Sequence, residues 1–254
     1  MSNVEEYARK LAELHASGQL LVLPTVWDTF SANLAVEAGF AGLTVGSHPV
    51  ADAMGSADGE AMDLSDYLAV VKRIVDSVDV PVSVDVESGY GLEPAELMAR
   101  VLESGAVGAN IEDVVHSQGK RVREAQEHAD YIATARAHTD AAGVEFVING
   151  RTDAMKLGAA VFADPLAEAE TRIKLMEQAG ARAVYPVGLS TPEQVSRLVG
   201  AVSVPLNVTA HPVKGHGAGK VTELRELGVR RVSFGPLWQM WLAEQSLAPL
   251  RSWL

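Results

Sequence analysis

The segment "VPVSVDVESGYG" (80–91) sets two carboxylates, Asp85 and Glu87, one residue apart, where a β-branched run gives way to glycine. Residues i and i+2 of a strand point to the same face. The spacing therefore predicts two negative charges side by side at a strand's end. "GANIED" (108–113) adds Glu112 and Asp113, and "INGRTD" (148–153) adds Arg151 and Asp153. Asp58 sits in the glycine-rich "MGSADGE", and Ser47 follows Gly46. Carboxylates do not gather without a cation, because each unpaired buried charge is costly. Oxygen-only ligands suit a hard divalent ion, Mg²⁺ first and Mn²⁺ second. The planar fork of Arg151 suits a substrate carboxylate or phosphonate. A metal beside such a clamp polarises a carbonyl and stabilises an enolate, the intermediate behind cleavage next to a 2-oxo acid.

Each of these residues also has a purely structural use. Asp58 is a natural turn residue. Glu112 can serve as a core partner for Arg151, and Asp113 and Asp153 can cap helices or pair with arginine. Trp27 suits a core position. The seven histidines show no metal-ligand spacing, and His116 falls in the loop after the fourth strand, where a solvated position is expected. "KGHGAGK" (214–220) lacks the pattern of a phosphate loop and is expected to be a flexible connection.

The elements that must position these groups follow from hydrophobic patterning. Strands are predicted over 21–27, 41–47, 80–87, 107–113, 145–153, 182–188, 204–209 and 230–236. The runs are mostly apolar rather than alternating, as in strands buried on both faces of a parallel sheet. Helical spacing fills the intervals, with Ser65 expected to cap the helix "LSDYLAVVKRIVDSV". "EAGF", "ESGA", "QAGA" and "ELGV" recur before successive strands, a quasi-repeat of the αβ unit. Eight strands alternating with helices over 254 residues imply an α/β fold of the (β/α)8 barrel type, a single domain spanning 1–254. An open doubly wound sheet is disfavoured, since the turn after the first strand, "VWDTFSA", carries no glycine. In such barrels the chemistry sits where strands end, which is where every acidic group above falls.

The net charge of −12 argues against nucleic acid as a partner, and no apolar run has membrane-spanning length. The chain has no cysteine, which excludes disulfides, thiolate metal sites and a cysteine nucleophile. The N-terminal stretch is acidic and amphipathic, unlike a secretory signal, and a cytoplasmic location is expected.

Taken in order, "VWDTFSANLAVEAGF", the "GS" at 46–47, "MGSADGE", "VPVSVDVESGYG", "GANIED", "INGRTDA", "QAGARAVYPVG" and "VPLNVT" resemble the isocitrate lyase/phosphoenolpyruvate mutase family. The resemblance runs from about Leu20 to Pro236. It implies a (β/α)8 barrel whose last helix, here within the apolar "LWQMWLAEQSLAPLRSWL", is exchanged between subunits of a dimer or tetramer. It implies Mg²⁺, held directly or through water by Asp58, Asp85, Glu87 and Glu112. Ser47 and the Gly46 backbone would donate to a substrate oxygen, Arg151 would clamp the substrate anion, Trp27 would wall the pocket, and Asn207 would add a contact. Arg151, Glu112 and Ser47 are the expected catalytic groups. Isocitrate and methylisocitrate lyases carry a Cys in a lid after strand 4; this chain has "EDVVHSQGKRVREAQEHA" there, so neither activity is expected. The usual Asp-x-Asp of strand 3 is Asp-x-Glu, and Pro186 is followed by Val187 where the lyases present Glu. The expectation is a Mg²⁺-dependent lyase cleaving a C–C bond of a small 2-oxo or 2-hydroxy acid, for instance a decarboxylase. P–C chemistry on phosphonopyruvate is the alternative, and a non-catalytic 2-oxo-acid-binding barrel the third reading.

Overall fold

The computed structural model describes residues 2–254. Helix α1 (Ser2–Ala16) precedes β1 (Leu21–Leu23) and β2 (Thr25–Val26), one extended run divided at Pro24. Proline has no N–H to give a ladder, so the division is expected at that residue. Then come α2 (Thr29–Glu37), β3 (Leu43–Val45), α3 (Ser47–Met54), α4 (Leu64–Val75), β4 (Val82–Asp85) and α5 (Pro94–Glu103). β5 (Gly108–Ile111) leads into a small hairpin, β6 (Val114–Val115) and β7 (Arg121–Val122), before α6 (Ala125–Ala141). β8 (Val147–Thr152), α7 (Ala154–Leu157), α8 (Pro165–Gln178), β9 (Ala183–Pro186) and α9 (Pro192–Val199) follow. The chain closes with β10 (Asn207–Thr209), α10 (Val221–Glu226), β11 (Arg231–Ser233) and α11 (Leu237–Arg251).

The parallel strands run β2-β3-β4-β5-β8-β9 in one sheet and β1-β11-β10 in another. Two links join them into a ring. Val184 of β9 pairs with Leu206 just before β10, its N–H donating to Pro205 O at 3.0 Å. On the other side β1 and β2 are continuous through Pro24. Each predicted strand is present but shorter than its apolar run, because proline or a change of backbone direction ends the ladder first.

Local signals set the helices. Asp63, rather than Ser65, caps α4: its carboxylate accepts the Ser65 and Asp66 N–H groups, so Ser65 lies inside the helix. Proline opens α5, α8 and α9, where its missing N–H costs nothing. Ile74, Leu97, Met98, Ile132 and Ile173 pack the helical ring onto the strands. α1 plugs the N-terminal end of the barrel: His15 Nε2 lies 3.0 Å from Nη1 of the fully buried Arg231. Arg231 also donates to Asn110 Oδ1 at 3.2 Å, and Asn149 donates to the same oxygen at 2.8 Å. The 211–219 segment is not a loose connection. It folds into paired bridges, His211 with Gly215 and His216 with Gly219. α11 buries Trp238 and leaves Met240, Leu247 and Leu250 exposed. Among the described residues no helix is long and apolar enough to cross a membrane.

Candidate active site

At the C-terminal end of the strands lies a cavity of about 290 Å³. Every strand position of the ring contributes to it. β2 gives Thr25, β3 Thr44, β4 Asp85 and β5 Asn110. β8 gives Arg151, β9 Tyr185, β10 Thr209 and β11 Ser233. The register makes these a layer: Thr25 pairs with Thr44, Asp85 with Asn110, Arg151 with Tyr185 and Thr209 with Ser233. The volume sits at the small end of ligand pockets, roughly 300–1,000 Å³, so the ligand has few atoms.

The wall after β3 is built by a close approach of backbone. A Cβ on Gly46 would stand 2.6 Å from Thr25 Cγ2 and 2.9 Å from the Pro49 ring, so only glycine fits. Gly46 caps α3, whose first N–H groups have no partner within the helix and carry a partial positive charge. Ser47 opens that helix with its hydroxyl 3.4 Å from Asp58 Oδ1, and His48 Nδ1 donates to Asp58 Oδ2 at 3.1 Å.

Arg151 is the hub of the opposite wall. Its Nε and Nη2 donate to both oxygens of Asp153, at 2.8 and 3.1 Å. Its Nη1 lies 2.7 Å from Glu112 Oε2 and 3.6 Å from Asp85 Oδ2. Burial alone would weaken the guanidinium's hold on its proton, but Glu112, Asp153 and Asp85 outweigh it and keep the group firmly charged. Lys156, in the cavity lining, donates to Asp153 Oδ2 at 2.9 Å.

Asp85 and Glu87 do not stand side by side. The chain leaves the strand after Asp85, and Glu87 takes φ +50°, outside any strand conformation. Asp85 faces the cavity and accepts the Glu87 N–H at 3.1 Å. Glu87 turns behind it, where Tyr90 donates to Oε1 at 3.2 Å and the Glu60 N–H to Oε2 at 2.8 Å. Burial pushes the Asp85 carboxyl up to about 6, with Arg151 opposing and Glu112 adding to the rise. Burial, then the neighbouring Asp85, Asp58 and Glu112, push Glu87 up to about 8, with His116 opposing.

His116 is not a solvated loop residue. The β6–β7 hairpin turns it inward, and its Nε2 donates to Glu112 Oε1 at 2.5 Å and lies 3.8 Å from Glu87 Oε2. The hydrogen bond to Glu112 raises its basicity against the effect of burial. Donor atoms of Glu87, Glu112 and His116 lie within 4.8 Å of one another. The four expected carboxylates thus fall in three places: Asp58 with Ser47 and His48, Asp85 facing Arg151, and Glu87 with Glu112 beside His116.

Of the expected site residues, Gly46, Ser47, Asp58, Asp85 and Arg151 line the cavity. Glu87 and Glu112 lie behind it. Trp27 is absent from the lining and instead packs edge-on against Trp238, ring centroids 5.3 Å apart. Asn207 is fully buried beneath the cavity and donates to Ser233 Oγ at 3.2 Å. Asp113 is structural, accepting from Thr152 Oγ1 at 2.6 Å and Arg172 Nη1 at 3.1 Å. His48, Asn110, Lys156 and Tyr185 were missed. Asn110 was findable, since in "GANIED" it lies two before Glu112 and opposite Asp85. Tyr185 and Lys156 carried no such signal.

The family model for phosphoenolpyruvate phosphomutase matches residues 11–251. The chain belongs to this family. The resemblance read from its motifs therefore holds, and so does the α/β fold class. Within the family, an oxaloacetate decarboxylase of Paraburkholderia xenovorans (strain LB400) is 29% identical, over 80% of this chain and 69% of its own. The 2-methylisocitrate lyase of Escherichia coli (strain K12) is 30% identical over 71% of this chain and 64% of its own. A crystal structure from Burkholderia cenocepacia J2315, described only provisionally as a phosphonomutase, is 37% identical with a TM-score of 0.86 and covers 97% of this chain and 99% of its own. Oxaloacetate acetylhydrolase bound to its product oxalate is 26% identical with a TM-score of 0.81, over 96% and 86% of the two chains.

Proposed function

We propose that this chain is a divalent-metal-dependent lyase cleaving a C–C bond of a small 2-oxo or 2-hydroxy acid, decarboxylation of an oxaloacetate-like acid being the simplest case. The observation that carries the reading is one small cavity in which Arg151 and the N-terminus of α3 frame the Asp85 carboxylate. Relatives named as an oxaloacetate decarboxylase and an oxaloacetate acetylhydrolase support the substrate class.

The donor set fits a hard divalent cation. Asp85, Glu87 and Glu112 are crowded; Arg151 is the cation at hand, and His116 donates to Glu112. Burial first, and then the neighbouring carboxylates, raise Glu87 to about 8, so a cation brought beside it would favour its ionised form. Asp85, Glu87 and Glu112 would hold Mg²⁺ or Mn²⁺ directly or through water, with Asp58 reached through water. When bound, such an ion supplies the Lewis acidity that draws electrons toward the 2-oxo oxygen.

The residues of the chain supply the rest. Arg151 receives the substrate carboxylate, exchanging the long contact to Asp85 for a short one to the ligand. The Ser47 hydroxyl and the first amides of α3 donate to a substrate oxygen as charge builds on it. In decarboxylation the bond to the departing carboxylate breaks and CO₂ leaves without the electron pair, which becomes the enolate C=C bond as the carbonyl π pair moves onto the 2-oxo oxygen. A proton taken up from solvent then goes to the carbon that lost CO₂, and the carbonyl re-forms.

Purified protein with Mg²⁺ should release pyruvate from oxaloacetate. Phosphate or phosphoenolpyruvate from phosphonopyruvate, with no pyruvate from oxaloacetate, would overturn the reading. That second outcome is the P–C reading, favoured by the family's description and by the 37% identical phosphonomutase-like structure.

A further inference from the structure

Beside the cavity lies an annex of about 230 Å³ that shares Tyr185, Val187, Thr209 and Leu237 with its lining. The two spaces are neighbours, lined in common at the C-terminal ends of β9 and β10. Their chemistry differs. The cavity is ringed by charge, from Asp58, Asp85, Arg151 and Lys156. Among the described residues no acidic or cationic aliphatic side chain lines the annex, and Leu189 and Val208 complete its apolar wall.

The polar side chains of the annex are already engaged with protein partners. The hydroxyls of Tyr185 and Thr209 are bonded to each other. His216 Nε2 donates to Leu189 O at 2.8 Å, and its Nδ1 accepts the Ala218 N–H at 3.0 Å. That pairing fixes a neutral imidazole with neither nitrogen free. A second carboxylate placed here would lose its water and find no cationic partner, a costly arrangement. An alkyl group would lose only contact with water, which is favourable.

We propose that the annex takes an uncharged alkyl substituent of the substrate, so that the acid carries a carbon branch or tail at the end away from the group held by Arg151. This rests on the reading of the main cavity as a 2-oxo or 2-hydroxy acid site. It narrows the substrate class from any small 2-oxo or 2-hydroxy acid to those with an apolar extension of a few carbons.

Calorimetric titration of the full chain with Mg²⁺ present tests it, using pyruvate, 2-oxobutanoate, 2-oxopentanoate and 2-oxohexanoate, with 2-oxoglutarate as the charged comparison. The Kd should fall roughly fourfold per added methylene until the annex is full. The heat-capacity change should grow more negative along the same series, and 2-oxoglutarate should bind no tighter than pyruvate. Leu189→Phe, which narrows the annex, should abolish the advantage of 2-oxopentanoate. Leu189→Ala, which widens it, should move the optimum to a longer chain. A flat or rising series of Kd values, or 2-oxoglutarate as the tightest ligand, overturns the annex proposal while the cavity reading stands. Binding of none of the acids overturns the cavity reading and the annex proposal with it.

Discussion

Glu60 and Glu87 hold each other's loops. The N–H of Glu60 donates to Glu87 Oε2 at 2.8 Å, while Glu60 Oε1 accepts the Ser88 and Tyr90 N–H groups at 3.1 and 2.8 Å. Its other oxygen accepts from Ser117 N at 3.3 Å, tying in the β6–β7 hairpin. Glu60, Glu87 and Tyr90 all have positive φ, at +61°, +50° and +56°. That conformation costs a non-glycine residue roughly 1–2 kcal/mol, so the reciprocal hydrogen bonds hold a strained hub directly behind Asp85.

Removing the Glu60 carboxylate should therefore release the hub. Glu60→Ala is expected to lower stability by about 1.5–3 kcal/mol, the range for hydrogen bonds to a charged group. Turnover should fall with it, because Glu87 and the loop after β4 lose their support. Glu60→Gln keeps one acceptor oxygen and should recover most of the stability. Urea denaturation of the three proteins checks this, and equal midpoints for Glu60→Ala and the parent chain would refute it.

Arg151 is surrounded by Asp85, Glu112 and Asp153, so its loss is a structural event as well as a functional one. Arg151→Ala leaves those carboxylates without their common cation. Breaking a buried pair in this way costs about 3–5 kcal/mol. Arg151→Lys keeps the charge but not the two-pronged geometry, and should cost less stability while still lowering kcat/KM by about a hundredfold or more. Thermal melts beside steady-state kinetics separate the two effects. A Lys variant with unchanged kcat/KM would take Arg151 out of substrate binding.

The raised carboxyl groups reverse the usual pH dependence. Asp85 is pushed to about 6 and Glu87 to about 8, above their ordinary values of 3.8 and 4.5. Between the ordinary and the raised values the native chain keeps protons that the unfolded chain has released. This contribution to stability is fully present below the ordinary values and is lost as pH rises through about 6 and then about 8. Burial holds His15 and His128 low, at about 3 and about 4, and they add stability as pH rises toward their ordinary value of 6.5, so the decline without divalent metal should show above that value, through the Glu87 range near 8. Mg²⁺ should flatten the decline by binding the ionised forms, and its own affinity should rise across the same interval. Denaturation curves at several pH values, with Mg²⁺ or with a chelator, read both. A metal-free stability that rises with pH through this window would contradict the assignment.

The barrel was legible because its strands are apolar on both faces and its αβ units repeat "AGF", "SGA" and "AGA" before several of them. Arg151 and Asp85 were legible as cavity groups because each sits on the last turn of a strand that the register fixes. Glu87 was misplaced for a definite reason. Its face follows from period-two alternation only while the chain remains a strand, and the ladder ends at Asp85. His116 was misplaced because the hairpin that turns it inward consists of two-residue strands, Val114–Val115 and Arg121–Val122, too short to leave a periodic signal. Trp27 faces Trp238 from the far end of the chain, a pairing that no local spacing encodes.

Asp113 reaches the cavity without lining it. It is fully buried, and its Oδ1 accepts the Asp153 N–H at 3.0 Å while Oδ2 takes Thr152 Oγ1 and Arg172. Asp153 in turn holds Arg151 through both carboxylate oxygens. Asp113→Ala should cost about 3–5 kcal/mol, since Arg172 is left buried with only Glu168 as a charged partner. Asp113→Asn retains an acceptor for the Asp153 N–H and should leave Arg151 in place at a smaller cost. KM should rise in the Ala variant more than in the Asn variant, because the freed Asp153 no longer fixes the direction of Arg151. Kinetics at a temperature where both variants remain folded test this, and equal KM values for the two would sever Asp113 from the site.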